Sequence, residues 1–129
     1  MGLIILALLG GLSTYLLSRV PSIGTIRASS ITTIMCFLIF YGFWGIDIAN
    51  QYSAIFFGGS FVGMSSPTKL SLSAVVVASG VFGVISAFLL PILAGLGGAL
   101  GICAFLSVVL VYGSKYLYKQ CQERNNSAR

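Results

Sequence analysis

The chain has 129 residues, 57% of them hydrophobic, with seven basic side chains, two acidic ones and a net charge of +5. Soluble domains carry about 25% charged residues; this chain, 7% charged with a mean hydropathy of +1.03, has too few to solvate a globular surface. The composition excludes a separate soluble domain and predicts an all-α integral membrane protein.

Residues 2–18 form an apolar run that ends at Arg19. No basic residue precedes it and no Ala-x-Ala-like site closes it, which argues against a cleaved signal peptide. Leu6 stands where a myristoylation pattern needs Ser or Thr. A first membrane span with its N-terminus outside is the expectation. Residues 19–30 read as a loop, with Ser29 or Ser30 as N-cap of the next helix.

Residues 31–49 form the second expected span, dense in aromatic side chains. Tyr41 and Trp44 lie toward its far end, joined by Tyr52 as an interfacial belt. Asp47 and Asn50-Gln51 mark where the chain leaves the lipid. At that depth Asp47 reads first as a hydrated boundary residue and second as an ion or substrate ligand.

Residues 53–66 are apolar but short. A helix of that length covers roughly 21 Å, against a hydrocarbon core of about 30 Å. Gly58, Gly59 and Ser60 interrupt its centre, and a short glycine-broken segment among longer ones points to a functional centre. Glycine costs about 1 kcal/mol relative to alanine within a helix. Two in succession predict either a break that exposes backbone groups to a pore or substrate, or a close contact with another helix. Gly63 continues the same face, and Asp47 completes the candidate substrate or pore set.

Residues 70–90 and 93–114 are the fourth and fifth expected spans. Residues 115–129 form a polar tail expected to fray after its first turns. With five spans, all seven basic residues (Arg19, Arg27, Lys69, Lys115, Lys119, Arg124 and Arg129) fall on one side. The opposite connections, at residues 50–52 and at Pro91, hold none. The positive-inside rule then puts the tail in the cytoplasm of a bacterial cell, with the chain in the inner membrane.

Small residues recur at four-residue spacing: Gly59 with Gly63, Ser79 with Gly83 and Ala87, Ala94 with Gly98, and Gly97 with Gly101. Each set makes a flat strip on which another backbone can pack closely. Packing within the chain is the first reading of these strips, self-association or docking to a larger partner the second. Gly95-Leu96-Gly97-Gly98 lacks the lysine and hydroxyl of a phosphate loop. Phe61-Val62-Gly63-Met64 shares only a Val-Gly pair with potassium filters.

No residue pair supplies a nucleophile with a base, and zero histidines leave little for metal binding. Neither an enzyme nor a cofactor is expected. The basic residues sit in loops and tail, so the expected partners are membrane lipids and a homo-oligomer or larger membrane complex, not nucleic acid. The short glycine-broken span tips the expectation toward a transporter or channel-forming subunit for an ion or small solute. The alternative is an accessory or assembly subunit that docks to a larger membrane complex.

Overall fold

The computed structural model describes residues 1–65, 71–89, 91–92 and 98–129. They form five helices and no strand: α1 (Gly2–Leu17), α2 (Gly24–Trp44), α3 (Ile46–Gly63), α4 (Leu72–Leu89) and α5 (Ala99–Ser127). Three of them, α2, α4 and α5, are long and apolar enough to cross a membrane; α1 is a shorter apolar helix. The expectations at Pro67, Lys69, Ala94 and Gly97 fall outside the described residues.

Large and small side chains are distributed in the opposite sense to a soluble core. The buried set is dominated by Ala7, Ala28, Ala49, Ala74, Ala78 and Ala104 and by the hydroxyls of Thr14, Ser29, Ser60, Ser79, Ser86 and Ser107. Leu9, Leu16, Ile34, Leu38, Phe43, Phe88, Phe105 and Leu110 face outward. Small residues on the buried faces let the helices approach closely. Three of these buried hydroxyls, on Ser60, Ser86 and Ser107, bond within their own helix. Ser86 Oγ donates to the Gly83 carbonyl at 3.0 Å and Ser107 Oγ to the Ala104 carbonyl at 2.7 Å, as serine does within apolar helices.

Several boundaries differ from those the sequence suggests. The loop expected over residues 19–30 yields to helix at Gly24, so Ser29 and Ser30 are interior residues rather than caps. Nothing in Thr25–Ser30 breaks a helix, and Ser30 Oγ bonds back to the Ile26 carbonyl at 3.0 Å. The connection expected at residues 50–52 is part of α3. The chain turns instead at Gly45, alone between α2 and α3, with φ 88° and ψ 178°. Only glycine adopts that conformation without strain. The tail, expected to fray, continues α5 as helix to Ser127. Lysine, leucine, glutamine and glutamate are good helix formers, and Lys119 pairs with Glu123 one turn on at 3.9 Å.

Helix α3 is the hub, touching all four of the others. Half-turned by Gly45, α2 and α3 form an antiparallel hairpin, with Phe40 edge-on to Tyr52 at 5.2 Å between ring centres. Helix α1 runs parallel to α3: Ala7 lies against Gly59, and Gly11 against Gly63. Helix α4 runs antiparallel to α1, with Gly83 beside Ile4 and Ser79 beside Gly11.

Candidate functional site

The stretch Gly58-Gly59-Ser60 lies in the interior of α3, and the helix passes through it unbroken. Of the two outcomes two adjacent glycines allow, the close contact is the one present. Successive helical residues point about 100° apart, so these three neighbours face three different helices.

Gly58 faces α4. A Cβ there would overlap the ring of Phe82, which is itself fully buried. Gly59 faces α1, where a Cβ would run into the backbone of Ala7, its carbonyl oxygen first. Ser60 faces α2 and shares a hydrogen bond of 2.7 Å with Ser29. It also donates to the Phe57 carbonyl at 2.6 Å, so the Ser29 hydroxyl is positioned to be the donor between the two serines.

One turn further along, Gly63 meets the backbone of Gly11. On the facing helix, Gly10 meets the backbone of Phe56. The α1–α3 contact is therefore backbone on backbone, between Ala7-xxx-Gly11 and Gly59-xxx-Gly63. Helix α1 is held on its other side as well: the Ser79 hydroxyl of α4 fills the space that a side chain at Gly11 would need. The hydroxyls of Thr14 and Ser79 are fully buried and, among the described residues, have no hydrogen-bond partner.

Asp47 is not brought to this centre. It sits exposed in the first turn of α3, eleven residues or about 17 Å along the axis from Gly58, where a carboxylate favours the positive end of the helix dipole. Of the packing strips, Ser79 and Gly83 are buried against α1, whereas Ala87 and Gly101 are exposed. A Cβ on Gly101 would meet nothing within 4 Å among the described residues.

Ala7, Gly10, Gly11 and Phe82 complete the centre without a sequence expectation, and Ser29, expected as an N-cap, joins them from inside α2. Ala7 and Gly11 carried a usable signal, the same four-residue spacing of small residues as Gly59 and Gly63. Ser29 carries none, because the polar run over residues 19–30 reads as a loop.

Three mainly apolar grooves lie elsewhere. One of about 310 Å³ is walled by α1, α2 and α3 and includes Leu6, Thr32, Cys36 and Phe56. A second, of about 430 Å³, involves Leu3, Gln51, Ser86 and Leu100. The third, also about 430 Å³, runs between α4 and α5 from Val81 to Lys115. Gly58, Gly59 and Ser60 line none of the three. Among the described residues, no group of histidine, cysteine and acidic side chains is placed to hold a metal ion. Comparison of the chain with protein-family models, with curated proteins and with solved structures finds no match to any of them.

Proposed function

We propose that this chain is a multi-pass membrane protein that works as an accessory or assembly subunit of a larger membrane complex, rather than as a conduit through its own core. The observation that carries this reading is the three-way closure of α3. Gly58, Gly59 and Ser60 are each covered by a different helix, which supports a helix crossing over a pore lining at this stretch. A permeation path at membrane depth needs backbone or polar groups facing a wet cavity. Here the glycine backbone meets other backbone.

The outward faces of α2 and α5 are left for lipid or for another subunit. The aromatic side chains at the α2–α3 corner, Tyr41, Phe43, Trp44 and Tyr52, support one interfacial level. Tyr112, Tyr116 and Tyr118 on α5, near Lys115, support the other. With the basic residues gathered near the second level, the topology proposed is N-terminus out and C-terminus in the cytoplasm, in a bacterial inner membrane.

A transporter or channel-forming subunit is the second reading, and one observation favours it. Thr14 and Ser79 keep buried hydroxyls with no partner among the described residues, and such groups could contact a solute if α1 moved away from α4. Reconstitution separates the two. The purified chain alone in vesicles should give no ion or small-solute flux above empty vesicles, and in native membranes it should purify in fixed ratio with a larger membrane subunit. Flux from a homo-oligomer of this chain alone would overturn the accessory reading.

A further inference from the structure

The groove between α4 and α5 has an uneven chemistry along its length. Its floor and walls are Ala74, Val77, Val81, Leu110 and Val111, while Ser73, Ser114 and Lys115 stand at one end. Val77 and Leu110 are more than half exposed, so the groove opens to the outside of the bundle, where lipid would lie. From Ser73 to Val81 the α4 wall runs about 12 Å. The polar end is assembled by contacts between the two helices: Lys115 Nζ donates to Ser71 Oγ at 2.9 Å, and Ser71 and Ser73 share a hydrogen bond of 3.0 Å. One cation and two hydroxyls thus converge at the start of α4, where the helix dipole adds positive potential.

We infer that this groove holds one anionic phospholipid, with an acyl chain along Val77, Val81 and Leu110 and the phosphate on Lys115, Ser71 and Ser73. The assignment rests on the membrane reading above. Two features select this occupant over a partner helix. Among the described residues the groove ends in one ammonium, with no acidic residue in its lining, which suits a phosphate and leaves a zwitterionic headgroup's cation unmatched. That ammonium also lies one turn beyond the apolar wall, as a headgroup lies beyond its chain. Lys119, one turn further along α5, is already paired with Glu123 and lies outside the groove.

The test is reconstitution into vesicles of equal phosphatidylglycerol and phosphatidylcholine, re-extraction in mild detergent, and quantitation of the lipid that remains bound. The wild-type chain should retain phosphatidylglycerol in preference to phosphatidylcholine. Lys115→Gln should cut that preference about fivefold, the effect of one basic side chain at an anionic surface, while Lys119→Gln should keep it. Val77→Trp, at an exposed position, should lower retention of both lipids at an unchanged melting temperature. Equal retention of the two lipids by the wild type would overturn the site, as would equal losses in Lys115→Gln and Lys119→Gln. If Val77→Trp unfolds, the lysine pair still decides. A chain that fails to float with the vesicles would sink the membrane reading too, whereas one that floats without lipid preference sinks this site alone.

Discussion

Glycine does opposite things in two regions of this chain. On α1 and α3, Gly10, Gly11, Gly59 and Gly63 are spacers, present because no side chain fits between two backbones. On α2 and α5, Gly42, Gly101 and Gly113 meet none of the described residues where a side chain would go. Both regions carry small residues inside apolar helices, and Gly97/Gly101 has the same spacing as Gly59/Gly63. Spacing creates a strip on which a helix can pack; only a second strip in register makes it a contact. Ala7 and Gly11 supply that register for α3, running parallel to it.

The comparison breaks most decisively under bulk. Gly63→Leu would drive four carbon atoms into the α1 backbone at Gly11, and neither backbone can yield without separating the helices. The expected outcome is loss of folded, monodisperse protein in mild detergent, read by size-exclusion chromatography. Gly101→Leu, with the same change in volume on α5, should elute as wild type does.

Gly45→Ala should follow in size. The residue holds a backbone region that side chains rarely enter, at a cost of about 1–3 kcal/mol. Because Gly45 alone joins α2 to α3, the variant should melt at lower temperature without changing its detergent-solubilised mass. An unchanged melting temperature would mean that the corner relaxes freely.

Ser60→Ala is the smallest of the core changes. It removes the hydrogen bond to Ser29, and interhelical bonds of this kind in membrane proteins average about 0.6 kcal/mol. A double-mutant cycle with Ser29→Ala should return a coupling of that order. Zero coupling would leave α2 held to α3 by apolar packing alone.

Much of this fold was legible in the sequence, and the reasons for the rest are specific. Helical character and helix number followed from apolar runs separated by polar residues. Boundaries failed where polarity and chain reversal part company. Asn50-Gln51-Tyr52 is polar enough to suggest a loop yet continues α3, while the actual corner at Gly45 hides in the apolar run from Phe43 to Ile46. Hydropathy cannot mark a one-residue turn. The start of α2 was missed for the same reason, since Arg27, Ser29 and Ser30 are polar but compatible with helix.

The candidate site was half legible. Two adjacent glycines followed by Ser60 announced an unusual place on α3, and the alternative of break or crossing was open from residue types alone. Deciding between them requires the partner, and the partner is 48 to 52 residues away in sequence, at Gly11 and Ala7. Asp47 was grouped with the glycines only because both were exceptional for a membrane segment. The helix separates them by more than half its length.

The central claim is that α1 closes the glycine face of α3, and the mildest substitution tests it most directly. Thermal unfolding in detergent of Gly59→Ala and Gly101→Ala, measured side by side, compares one added methyl group in the two settings. At Gly59 the methyl meets the Ala7 backbone, and overpacking of this kind costs about 1–3 kcal/mol. At Gly101 it meets none of the described residues, and the change should stay within about 0.5 kcal/mol of wild type. A clear drop in melting temperature for Gly59→Ala beside an unchanged or raised one for Gly101→Ala is the predicted result. Equal melting temperatures for the two variants would contradict the closure of α3 by α1.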